Sequence, residues 1–163
     1  MATTLEELRV LQEAEAVADA AWQQVVQWNL LARDVVGTQL ARAADSIGAN
    51  IAEAYGRFHY GEKLQFLYYA RGSLFETKYW LNRTLARNLM KPDHVQDYAS
   101  HLTEIARQLN SFAASIKEQR SSSSKQPNTV REPTTEYVID ALPSPLFTDS
   151  DLNWLLTIPI SNL

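Results

Sequence analysis

Val95, Tyr98, Leu102, Ile105, Leu109, Phe112 and Ile116 follow one another at alternating three- and four-residue steps. An unbroken series of that kind describes an amphipathic helix with a heptad-like apolar seam. Such a helix is stable only if its seam is buried against other elements. The rest of the chain supplies helices for that purpose. Thr4-x-x-Glu7 has the form of a capping box and predicts a first helix from Thr3 or Thr4 to about Ala32, a stretch without Pro or Gly. Leu8, Leu11, Ala14, Ala18, Ala21, Val25 and Trp28 trace its stripe, with Trp22 and Val26 off centre. Arg33–Thr38 is the expected break, and a second helix should span about Thr38 to Tyr55. The third is expected from Gly61 to Met90. It carries Phe66, Tyr68, Tyr69, Phe75, Tyr79 and Trp80 on several faces, which suits a thick core or a contact with another subunit. Pro92 fits the first position of the fourth helix. Four helices with short connections predict an all-α, antiparallel up-down-up-down four-helix bundle over residues 1–120, followed by a mostly irregular C-terminal extension.

One stretch of the second helix combines packing with polarity. Leu40, Ala44, Ile47 and Ile51 share a face, and small residues between them permit close helix approach. Asn50 lies at the edge of that face and needs hydrogen-bond partners from elsewhere in the fold. Gly56 is placed to end the helix with a left-handed backbone, and Arg57 to meet the last carbonyls. Asn50, Glu53, Arg57, Arg71 and Glu76 form the polar constellation singled out here. It reads either as a structural network that sets helix register or as a binding cluster for a partner or ligand.

The same residues carry a resemblance. Ser46-Ile47-x-x-Asn50-Ile51-Ala52-Glu53-x-x-Gly56-Arg57, followed by Ala70-Arg71-Gly72-Ser73-Leu74-x-Glu76, resembles the signature of a bacterial four-helix-bundle family. The family includes the proteins encoded by intervening sequences in large-subunit ribosomal RNA genes and the accessory variability determinants of diversity-generating retroelements. The resemblance covers roughly residues 5–118. Ala54 stands where the family usually has Gly, a mild change inside a helix. What the resemblance implies is self-assembly, typically into a five-membered ring. In the retroelement branch it implies binding to a reverse transcriptase and its RNA.

Charge and composition narrow the function. Residues 1–120 hold 13 Lys+Arg against 14 Asp+Glu, and residues 121–163 hold 2 against 5. A nearly neutral bundle is a poor general ligand for nucleic acid, whose binding depends on neutralised phosphates. Arg33, Arg42, Arg57, Arg83, Arg87 and Arg107 are dispersed among acids and read as solvated faces rather than an RNA patch. There is no cysteine, which excludes disulfides, thiol catalysis and cysteine zinc sites. His94, Asp97 and His101 fall at one helix edge, but they flank the apolar seam and read as solvated rather than metal-binding. His59 has no evident carboxylate or nucleophile beside it. With no nucleophile–base motif and no phosphate loop, neither an enzyme nor a cofactor is expected. No membrane span is expected, and the N-terminus lacks a signal-peptide pattern, so a cytoplasmic location is expected.

The C-terminal region differs in kind. Ser121-Ser122-Ser123-Ser124 opens an expected flexible linker over 121–135. Residues 136–163 hold prolines and apolar clusters: Tyr137 and Ile139, Leu146 and Phe147, then Leu152, Trp154, Leu155 and Leu156 on a short helix capped by Asp149 or Ser150. Three readings remain open: docking to a separate effector protein, folding back on the bundle, or disorder. The leading function is a non-enzymatic oligomeric adaptor with this tail as a docking peptide. The alternative is an RNA-binding accessory protein of a reverse transcriptase.

Overall fold

The computed structural model describes residues 4–123 and 145–159, and regular structure among them is entirely helical. Helix α1 spans Arg9–Val25. Helix α2 is assembled from Leu30–Ala32, a π-helical turn at Arg33–Gly37, and Thr38–Gly56 without interruption. Helices α3 (Tyr60–Ala86) and α4 (Pro92–Ser123) complete the bundle. A short α5, Asp149–Leu156, follows in the C-terminal segment. Neighbours run α1–α2–α3–α4 and back to α1, so the four long helices close around one core, and α5 packs along α4.

The first connection lies earlier than its expected position. Thr4 and Glu7 do pair, with the Thr4 N–H donating to Glu7 Oε2 at 2.9 Å, but they close a turn ahead of a helix that starts at Arg9. The break falls at residues 26–29, where Asn29 caps the next helix by accepting from the Ala32 N–H at 2.9 Å. Residues 33–38, expected to be the break, instead continue α2 through the π turn. Close packing explains the irregularity. Gly37 is buried, and a Cβ there would sit 2.5 Å from Val25 Cγ1 and 3.4 Å from the Trp28 ring. The chain turns back so tightly that α2 begins against the last turn of α1.

Helix ends elsewhere follow ordinary rules with one exchange. Gly56 remains inside α2, and no described glycine has a positive φ, so Arg57 ends the helix in an extended conformation instead. The left-handed closure occurs after α3, at Asn88 with φ 54°. There the Leu89 N–H donates to Thr84 O at 2.9 Å and the Asn88 N–H to Leu85 O at 3.0 Å, the paired bonds of a Schellman ending. Residues 121–123, expected to begin a linker, extend α4 by nearly a turn.

The core has two textures. Between α1 and α2 it is built from Ala14, Ala18, Ala21, Ala44, Leu40, Ile47 and Ile51, all buried. Gly48 approaches Leu11 there, its ideal Cβ position lying 3.6 Å from Leu11 Cδ1. Between α3 and α4 it is built from Leu67, Leu74, Leu81, Leu102, Ile105 and Leu109. Leu146, Phe147 and Leu155 of the C-terminal segment join that same cluster.

Candidate docking groove for the C-terminal segment

The groove between α3 and α4 is occupied by residues 145–159. Thr148 rather than Asp149 or Ser150 caps α5. The Asp151 N–H donates to Thr148 Oγ1 at 3.2 Å and the Thr148 N–H donates to Asp151 Oδ2 at 2.9 Å, a complete capping box. This box sets the short helix at an angle that points Leu155 into the core, where it is fully buried, as are Leu146 and Phe147 to within 1%. Burial of such side chains contributes roughly 1.5–3 kcal/mol each.

Three side chains of the bundle hold the backbone of the segment. Asn110 of α4 receives the Phe147 N–H on Oδ1 at 2.8 Å and donates from Nδ2 to Phe147 O at 2.8 Å. One amide thereby satisfies both polar groups of a buried residue, as a neighbouring strand would. Arg71 of α3 donates from Nε to Leu146 O at 2.7 Å and from Nη2 to Asp151 Oδ2 at 3.3 Å. Its guanidinium lies 4.6 Å from the Phe75 ring centre and 5.5 Å from that of Phe147. Phe75 stacks on Phe147 at 5.9 Å and on Trp154 at 5.2 Å. Further along, Gln96 donates to Leu156 O at 3.3 Å.

Electrostatics agree with the geometry. Burial by itself would raise the Asp151 carboxyl, but the Thr148 N–H and hydroxyl and the Arg71 guanidinium outweigh it and hold the pKa below 3.8. Arg71, Phe75, Lys78 and Asn82 share one face of α3. Lys78 is fully buried, its Nζ has no hydrogen-bond partner among the described residues, and desolvation lowers its pKa to about 8. Asn82 Oδ1 is likewise buried without a partner there.

The residues expected to act together are distributed over four places. Asn50 donates to Ser46 O at 2.7 Å and to Ser73 Oγ at 3.4 Å, linking α2 to α3. Glu53 and Arg57 pair with each other on the surface, and Arg57 lies 4.7 Å from the Phe66 ring centre. Arg71 turns away from both toward the C-terminal segment, and Glu76 is exposed. Of the expected docking residues, Leu146, Phe147 and Leu155 are buried, Leu152 is half-buried, and Trp154 and Leu156 are exposed. Tyr137 and Ile139 lie outside the described residues. His101 Nδ1 lies 3.6 Å from Glu13 Oε2 on α1. Asn110, Gln96 and Asp151 were missed by sequence reasoning. The signal for Asn110 was available: it is an amide directly beside Leu109 of the seam, the same argument that marked Asn50.

No curated protein matches the chain. The family model described as 23S rRNA-intervening sequence protein matches residues 6–111, which takes in Arg71 and Asn110 and stops short of the segment they hold. The chain therefore belongs to the 23S rRNA-intervening sequence protein family.

Proposed function

We propose that the chain is a non-enzymatic, self-assembling adaptor that recruits a partner protein. The observation that carries this reading is the apolar surface around the first helix connection. Trp22, Val26, Leu30, Leu31 and Val35 are all exposed there, Leu31 to 74% and Trp22 to 57%. Scattered apolar residues are ordinary on a monomer, but this many large ones within one short stretch are the mark of an interface. Family membership supports assembly, and the resemblance to ring-forming relatives makes five copies the expected size. The buried anchors of the C-terminal segment are committed to the bundle, so partner contacts in this reading fall on the exposed Trp154 and Leu156 and on the apolar surface around the first helix connection. The near-neutral charge of residues 1–120 favours a protein partner over RNA.

Light scattering tests the reading directly. The full chain should have a mass several times 18.4 kDa. Leu31→Asp combined with Trp22→Asp should reduce it to a folded monomer with unchanged helical content, since both side chains are exposed on the single chain. A monodisperse wild-type monomer at micromolar concentration overturns the proposal. A wild-type chain that retards structured RNA in a gel at physiological salt would move the reading to the reverse-transcriptase accessory role.

A further inference from the structure

Among the described residues Lys78 is the only ionisable side chain that is buried, and its Nζ has no hydrogen-bond partner there. An ammonium in that condition is costly, because nothing offsets its desolvation. The elements around it supply no counter-charge. The buried residues of α1 and α2 are all uncharged. Those of α4 are apolar except Thr103, whose hydroxyl donates to Ala99 O at 2.7 Å. Burial keeps Tyr98 on α4 and Tyr68 on α3 protonated beyond the ordinary phenol range. Arg71 and Asp151 bond to each other, and Glu76, Arg107 and Asp149 are exposed. Desolvation alone acts on the Lys78 amine.

The chain's own C-terminal segment leads to this amine. Asp151 meets Arg71, and Trp154 stacks on Phe75 at 5.2 Å. Successive residues of the segment thus meet successive positions of one α3 face, 71 and then 75. The next positions on that face are Lys78 and Asn82. Trp154 on Phe75 of α3 and Leu156 on Gln96 of α4 make α5 a bridge across the groove beside them. Leu155 is fully buried under that bridge, and Ile158 packs against the same core. A lysine at a core position ordinarily extends its long stem until the amine reaches water. Along this face that path runs toward the groove, where the bridge lies. Asn82 Oδ1, one turn further on, is buried without a partner as well.

We infer that residues 145–159 form a releasable strap whose closure takes water from Lys78, so that the protonated amine works against docking. The device operates within one chain and does not depend on self-assembly. Closed, the strap holds an amine with a pKa of about 8; open, it returns the amine to the ordinary 10.5. Below pH 8 the amine is charged in both states and opposes closure fully. Between pH 8 and 10.5 it is neutral under the closed strap and charged under the open one. Closure then releases a proton and tightens as pH rises, by up to about 300-fold at a factor of ten per pH unit. Near neutral pH the strap is held less tightly than its hydrogen bonds and buried rings alone would hold it. It is poised to open, and opening returns Phe147 and Leu155 to solvent beside Trp154.

Titration of the amine in the full chain tests this. With lysine Cε labelled with ¹³C, the Lys78 signal is the one lost in Lys78→Met. In the wild type it should titrate near pH 8. In Phe147→Ser, which loosens the strap, its midpoint should move toward 10.5. A wild-type midpoint already at 10.5 overturns the inference. So does a low midpoint that Phe147→Ser leaves in place, since the bundle alone would then bury the amine. A second measurement leaves strap and groove unaltered. In chains labelled with 5-fluorotryptophan, the Trp154 signal, assigned by its loss in Trp154→Phe, reports release of the strap in urea. The urea midpoint should rise between pH 8 and 10.5 in the wild type. Lys78→Met should hold the higher midpoint throughout, because it keeps the stem and removes the charge. A rise that Lys78→Met retains, or no rise in the wild type, overturns the inference. A Trp154 signal lost only together with that of Trp80 on α3 overturns it too, because strap and bundle would then open as one.

Discussion

The α1/α2 half of the bundle and the α3/α4 half solve the same packing problem in opposite ways. In the first half, alanines and glycines let two backbones approach until no space remains: Ala14 and Ala44 are fully buried, and Gly37 has no room for a Cβ beside Val25. In the second half the core is built from bulkier side chains, and a segment from the end of the chain packs into it. The first solution is limited by shape alone. The second needs hydrogen bonds as well, because a non-regular backbone brought into a core must have its N–H and C=O groups satisfied. That is the work of Asn110 and Arg71. The close-packed half has no room for a methyl at Gly37, whereas a filled groove can lose its filling and remain a groove.

Substitutions can break or sharpen this contrast. The largest effect is expected from Phe147→Ala, which removes the most deeply inserted ring of the segment. Chemical denaturation should show a loss of about 3–5 kcal/mol if segment and bundle unfold together. If the segment detaches first, the loss stops at its docking free energy and hydrogen exchange at Leu155 accelerates while that at Leu74 does not. Either result locates the boundary between the two halves.

Lys78 comes next. Its lowered pKa, about 8 against the ordinary 10.5, means that the unfolded chain holds its proton more tightly than the folded one. The charged amine therefore destabilises the fold fully below about pH 8, and the penalty is relieved as pH rises toward 10.5. Wild-type stability should rise over that window. Lys78→Met should add roughly 2–3 kcal/mol at pH 7 and flatten the rise. Thermal melts at a series of pH values read both, and a variant that is no more stable than wild type at pH 7 would mean the amine is solvated.

Asn110→Ala should cost about 1–3 kcal/mol, since it leaves the Phe147 N–H and C=O without partners. The loss should appear in denaturant melts of the full chain and vanish in a background of Phe147→Ala, where the segment is already undocked.

The two glycines of the close-packed half predict opposite signs. Gly37→Ala forces a methyl against Val25 and should destabilise by about 1–2 kcal/mol, overpacking exceeding the gain in helix propensity. Gly48→Ala meets Leu11 at 3.6 Å and Ala14 at 3.9 Å, which is ordinary contact, and should stabilise by about 0.5–1 kcal/mol. Equal effects at both sites would show that α1 and α2 adjust to each other, contrary to the contrast drawn above. The smallest change is expected from Arg57→Ala, about 0.5 kcal/mol in the same melts, because its pairing with Glu53 lies at the surface.

Legibility followed distance along the chain. The seam from Val95 to Ile116 places α4, and Pro92 places its start, because a helix is specified by neighbours three and four residues apart. The same rule reveals α5 from Leu152, Leu155 and Leu156, although its cap moved to Thr148, the one position whose partner at Asp151 completes a capping box. The family resemblance was legible from Ser46 to Glu76, a short stretch of motif order. The first connection was not legible. Residues 26–29 contain neither Pro nor Gly; the one local signal is Asn29, which caps the next helix, and Gly37 packs close to Val25 and Trp28.

What the sequence by itself determined was therefore the set of helices, their apolar faces and the family. Only the tertiary structure decided the partners of the polar residues. Arg71 bonds to Leu146 and Asp151 at separations of 75 and 80 residues, and Asn110 to Phe147 at 37. No periodicity reaches that far. A guanidinium or an amide suits many partners of equal chemistry, such as Glu53 or Glu76 for Arg71, and the choice among them is made by which one the packed helices bring within hydrogen-bond distance.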